Sequence, residues 1–138
     1  MSPEQILAST TARVLEEIAF VLVAEVEEAA LDDMLEATVE FAGPTKGRIG
    51  LALHRGLLRE ALGNTLSDEG TEDEVGSLAM ELTNIVTGAV LDDWWGPKGN
   101  YDLGLPVLGP LTGGSIGTLL ADEMGRGVRV SVRMEDPS

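Results

Sequence analysis

One segment constrains the fold more than any other. Thr71-Glu72-Asp73-Glu74 can form a reciprocal capping box, Gly96-Pro97 stops a helix, and no proline lies between them. The spacing predicts a helix from Glu72 to about Asp93 or Trp95, long enough that it must lay an apolar face on something. At about 100° per residue, Val75, Leu78, Leu82, Ile85 and Ala89 fall on one face, which the core would take. Opposite them Ser77, Glu81, Asn84 and Gly88 stand at i, i+4, i+7 and i+11, a stripe of one carboxylate, one carboxamide and two small residues. Asn is a poor mid-helix residue, and an interior Gly costs about 1 kcal/mol relative to Ala, so the helix gives up stability along this stripe. Close approach of a partner explains that loss. An ordinary solvated face with a glycine for helix packing has the same spacing.

The rest of the chain reads as helices and hairpins. Ser2-Pro3-Glu4-Gln5 opens a first helix, with Pro3 at its first position and Gln5 closing a capping box. Ile6, Val14, Leu15, Ile18 and Leu22 carry its apolar period to about Ala30, although Phe20-Val21-Leu22-Val23 could equally start a strand. Ala37 to Phe41 and Arg48 to Leu53, joined at Gly43-Pro44-Thr45-Lys46-Gly47, predict an antiparallel hairpin, and a short helix follows from Leu57 to Leu66. Leu105 to Leu108 reads as extended. Thr118 to Met124 and Val128 to Met134 form a second hairpin about Gly125-Arg126-Gly127. Helix then hairpin thus occurs twice, a topological repeat that hints at pseudo-symmetry. The expected architecture is one α+β domain over residues 1–138, an antiparallel sheet backed by long helices.

Composition removes several functions. The 138 residues hold no Cys and one His, which excludes disulfides, thiolate metal sites, a cysteine nucleophile and multi-histidine centres. With 24 acidic against 9 basic side chains the net charge is −15, a sign that phosphate backbones repel, so no nucleic-acid partner is expected. The uncharged stretch Leu103 to Ala121 holds five Gly and two Pro, unlike a spanning helix, and the start lacks a basic region followed by an apolar run. A cytoplasmic protein without a membrane partner is the expectation. The acids show no calcium-loop spacing, so no intrinsic metal is expected. Gly109 to Gly114 lacks the Lys-Ser/Thr of a phosphate-binding loop. His54, at a strand end without triad partners, is expected to be structural or exposed, Trp94-Trp95 to lie under the Gly96-Pro97 loop or else to form a dimer or partner patch, and Arg126, Arg129 and Arg133 to answer carboxylates across a sheet or interface.

Leu78-Ala79-Met80-Glu81-Leu82-Thr83-Asn84-Ile85-Val86-Thr87-Gly88 resembles the Glu-x-x-Asn helix of the CheC/CheX/FliY family of chemotaxis phosphatases. Phe41-Ala42-Gly43 with Gly47-Arg48-Ile49-Gly50-Leu51 is similar to that family's first hairpin, and Leu105-Pro106-Val107-Leu108-Gly109 to its Pro-x-Val segment. The likeness runs from about Val14 to Val132. Thr83 and Ile85 depart from the family's frequent small residue and Met. CheC-like members carry two motifs, whereas here Glu16 is followed at the third position by Ala19 and Glu17 by Phe20, and Glu60 and Asn64 are four apart. A single site makes the chain similar to CheX, whose members form homodimers.

The resemblance implies a phosphatase of phosphorylated CheY-like receiver domains. Asn84 would enter the receiver's site and orient the attacking water, Glu81 would pair with the receiver's lysine, and Mg²⁺ would come with the receiver. Ser77 and Gly88 would leave room for the partner, and wheel position adds Met80 and Thr87 as contact residues. Two other readings use the same face: a non-catalytic adaptor or flagellar-switch-like module, and a receiver-binding module that leaves the phosphoryl group in place.

Overall fold

The computed structural model describes residues 2–65, 71–96 and 101–135. The first helix, α1 (Pro3–Ala19), starts as its capping box requires, with Ser2 Oγ accepting from Gln5 N and Gln5 Oε1 accepting from Ser2 N. It ends eleven residues earlier than the apolar period suggests. Phe20 takes the left-handed conformation (φ 57°), Val21 N–H reaches back to Leu15 O at 3.1 Å, and the chain leaves as an extended strand, β1 (Ala24–Glu25). The run Phe20 to Val23 favours extended backbone, and pairing with a sheet edge decides for it.

The first hairpin, antiparallel as expected, is β2 (Met34–Ala42) and β3 (Lys46–His54), with Val39 opposite Ile49 and Phe41 opposite Gly47. Then come α2 (Arg55–Thr65), α3 (Glu72–Trp95), the two-residue strands β4 (Asp102–Leu103) and β5 (Val107–Leu108), and the second hairpin, β6 (Ile116–Ala121) with β7 (Gly127–Glu135). Among the described residues the strands make one antiparallel sheet in the order β1-β6-β7-β3-β2-β4, with β5 also on β2. The two hairpins meet at β3 and β7 in its centre, α1 lies over β6, and α3 lies over β2 and β3.

Alternation along the strands sets the core. Ala37, Val39 and Phe41 of β2, Ile49, Leu51 and Leu53 of β3, and Val128, Val130 and Val132 of β7 point to the helices and are buried. The other sheet face is closed by the segment 109–115, which crosses from the β2 edge towards β6. Glu36 holds it there: its backbone O accepts from Gly109 N at 2.9 Å and its Oε2 from Leu111 N at 2.8 Å. A Cβ on Gly50 would lie 2.7 Å from Leu111 Cβ, so only glycine lets this crossing lie flat on β3. Gly109 to Gly114 is thus covering chain.

The three arginines meet carboxylates as expected: Arg129 pairs with Glu36, Arg133 with Glu135, and Arg126 with Asp122 and Glu60. His54 Nδ1 accepts from Gly56 N at 3.0 Å, which ties the end of β3 to the start of α2. Trp95 packs edge-to-face on Phe41 at 5.6 Å, while Pro97 lies outside the described residues. Asn64's side chain and part of the acidic run before Thr71 also lie outside them.

Candidate functional site

The long helix is built as its sequence demands. Thr71 Oγ1 accepts from Glu74 N at 3.2 Å and Glu74 Oε1 from Thr71 N at 3.0 Å, while Glu72, Asp73 and Glu74 place negative charge at the positive end of the helix. Glu72 also pairs with Arg59 of α2.

Its buried side is Val75, Ala79, Leu82, Val86 and Val90, together with Thr83 and Thr87. Leu78, Ile85 and Ala89, read from the wheel as core, lie at its half-buried border. The difference has a physical reason. Thr83 Oγ1 donates to Ala79 O and Thr87 Oγ1 to Thr83 O, each at 2.6 Å, so both hydroxyls are satisfied within the helix and both side chains go inside. Thr87 is therefore corrected as a contact residue: it is 0% exposed, and a partner cannot reach it.

The other stripe residues do lie on the open side. Ser77 and Glu81 are exposed, and Met80, Asn84 and Gly88 are half-buried. Glu81 and Asn84, one turn apart, make no side-chain hydrogen bond or ion pair with another described residue. Their polar atoms are free to meet a partner. The ≈ 350 Å³ cleft at the sheet end, bounded by Phe41, Lys46, Arg48 and Asp102 among others, includes neither of them. A pair of this kind, with unpaired polar atoms on the outer side of a helix, suits docking onto a macromolecule.

One neighbour of the stripe was not visible in the sequence. The strap formed by β4, β5 and the chain between them runs along β2 beside α3. Tyr101 Oη donates to Asp92 Oδ1 at 2.6 Å and lies 3.0 Å from Gly88 O. Burial and the adjacent Asp92 carboxylate, by hydrogen bond and charge, push the Tyr101 phenol up to about 12. It stays protonated and pins the strap to the helix. At the strap's other end a Cβ on Gly76 would sit 3.3 Å from Leu108 Cδ1, so this second interior glycine marks a helix–strap contact. A glycine within the predicted helix was the signal for that contact the sequence offered.

Solved structures share this architecture. The chain superposes on the chemotaxis protein CheX from Vibrio vulnificus with a TM-score of 0.79 at 20% identity, covering 98% of this chain and 97% of that one. For CheX from Desulfovibrio desulfuricans the TM-score is 0.74 at 14% identity, with 98% and 100% covered. The CheX of a CheX–CheY–BeF3–Mg complex from Borrelia burgdorferi gives 0.68 at 13%, with 96% and 97% covered. No curated protein gives a significant sequence match. Helices on one face of this antiparallel sheet define an α+β domain of the CheX fold. The family described as "Chemotaxis phosphatase CheX" matches residues 35–116, which include β2 after its first residue, β3 and all of α3, and the chain belongs to that family.

Proposed function

We propose that this chain dephosphorylates a CheY-type receiver domain, with Asn84 positioning the attacking water and Glu81 holding the receiver. The observation that carries the reading is the Glu81/Asn84 pair, Glu81 exposed and Asn84 half-buried, one helical turn apart and without side-chain partners among the described residues, on the helix that the family match spans. The Borrelia burgdorferi CheX was solved with CheY, BeF3 and Mg²⁺, a phosphoryl-like group and its metal, which supports a receiver as the partner.

The chemistry fits the residues. An aspartyl phosphate is an activated acyl phosphate, and the Mg²⁺ that comes with the receiver neutralises its oxygens, so the helper's task is to place a water in line. The carboxamide oxygen of Asn84 accepts a hydrogen bond from that water, and its NH₂ donates to a neighbouring oxygen, without adding negative charge beside the phosphoryl group. Water's oxygen bonds to phosphorus, the bond from phosphorus to the aspartyl oxygen breaks, and the carboxylate leaves with the electron pair; the proton from water goes to the phosphate. Glu81 is suited to a lysine of the receiver, fixing register rather than moving a proton. Ser77, small and exposed, leaves space for approach, whereas the strap at Tyr101 and Leu103 takes the space at Gly88. The chain needs no cofactor of its own, and a cytoplasmic homodimer would present two such faces.

A kinetic split tests the two roles. Glu81→Ala should raise the half-saturating receiver concentration about tenfold with a saturated rate near wild type, because it removes docking. Asn84→Ala should do the reverse. Equal loss of both parameters in both variants would contradict the division of labour.

A further inference from the structure

Gly76, Met80, Asn84 and Gly88 stand four apart and so form one row along α3. Both ends of that row touch the strap, Gly76 at Leu108 and Gly88 at Tyr101 and Leu103. The strap therefore runs antiparallel to the helix, and Met80 and Asn84 lie between its two anchor points. Leu108 is half-exposed at 49% although its backbone is fixed by pairing with Ala37 and by the Gly109 N–H to Glu36 O bond, and Leu105, three residues earlier on the strap, is 87% exposed. An anchored, uncovered apolar side chain next to a polar docking row has the make-up of an interface hot spot.

Charge says what it fits. The chain carries −15, and no charged residue stands between Leu103 and Ala121. A receiver's metal-binding pocket is acidic by necessity, because it must hold Mg²⁺, so overall electrostatics oppose docking. Uncharged apolar contact is not opposed. We propose that Leu108 and Leu105 form a shelf, continuous with the Met80–Asn84 row, that seats an uncharged apolar patch of the receiver beside its phosphorylated aspartate. The shelf rests on the receiver-phosphatase reading and adds to it the source of affinity and register.

The test is a binding isotherm together with a rate. A CheY-type receiver from the same cell, loaded with Mg²⁺ and beryllofluoride, is titrated with wild-type chain, Leu108→Ser, Leu105→Ser and Leu108→Met, and dephosphorylation of the phosphorylated receiver is followed in parallel. Leu108→Ser should weaken binding and raise the half-saturating concentration by about five- to tenfold, and Leu105→Ser by about threefold. Leu108→Met should stay within about twofold of wild type, as should every saturated rate. Leu105 touches so little that its variant tests docking even where a Leu108 variant fails to fold. Receiver binding unchanged in both serine variants overturns the proposal. So does a change confined to sedimentation of the free chain, which would assign the shelf to a second copy. A wild type that binds without accelerating dephosphorylation defeats the phosphatase reading alone, and the isotherms still decide the shelf.

Discussion

Asp122 shows how a surface turn is made rigid by one side chain. Its carboxylate accepts from Met124 N, Arg126 N and Arg126 Nε at 3.1, 2.9 and 2.8 Å. Burial pushes this carboxyl up, but the Arg126 bonds and charge outweigh it and hold the group below the usual carboxylate range. A carboxyl with a depressed pKa stabilises the fold above its unfolded value, near 4, and loses that contribution as pH falls through its lower folded value. Asp122→Asn should therefore cost about 2 kcal/mol at neutral pH, with the deficit shrinking once pH falls below about 4. Denaturant melts at both pH values check this, and a deficit that persists undiminished in acid would contradict it. Thr87 offers a second test at this scale. Thr87→Val removes a hydroxyl that bonds only its own helix, so it should change stability by about 1 kcal/mol and leave receiver docking alone. A large fall in receiver affinity at intact stability would put Thr87 back on the surface. Its burial was illegible because the wheel counts threonine as polar, whereas Glu81 lies exposed and Asn84 half-buried, and neither side chain has a partner among the described residues.

The elements that stood out in the sequence are those whose ends carry their own signals. Both capping boxes formed, and both hairpins formed about glycine-rich turns. The end of α1 lacked such a signal, because Phe20 fills the left-handed cap position that glycine ordinarily takes. Phe20→Gly should relieve that conformation and stabilise the fold by about 0.5 to 1 kcal/mol, read as a higher melting temperature. A lower one would show that contacts of the Phe20 ring outweigh the strain. Of the short strands, β5 lies in the stretch Leu105 to Leu108 that reads as extended and β1 follows the run Phe20 to Val23 that could start a strand, whereas β4 could not be read locally, since two residues acquire strand character only from the partner they meet. The crossing segment is another tertiary choice. Gly50→Ala should lift Leu111 and Glu36 from β3 and cost about 1 to 3 kcal/mol, measured by denaturant unfolding.

At the scale of the whole molecule, fold class and family were legible because the signature helix and its flanking hairpin lie inside the matched region. The strap's place beside α3 was not, because it follows from sheet topology: β4 and β5 pair with β2, the strand that α3 covers. Net charge belongs to this scale too. A body of −15 approaching another acidic body is repelled over about 10 Å at 0.1 M salt, so receiver affinity should rise by a few-fold as salt increases from low to moderate strength. Marked weakening over that range would mean that the local Glu81 pairing dominates. Most directly, the central claim is tested by following a phosphorylated receiver at constant Mg²⁺ with saturating wild-type chain or Asn84→Ala, and by measuring binding of both to the beryllofluoride-loaded receiver. Loss of phosphate accelerated by wild type and slowed about 100-fold or more by Asn84→Ala, with binding retained, is the predicted result. Unchanged phosphate lifetime with wild-type chain fully bound would contradict it and leave a receiver-binding module in its place.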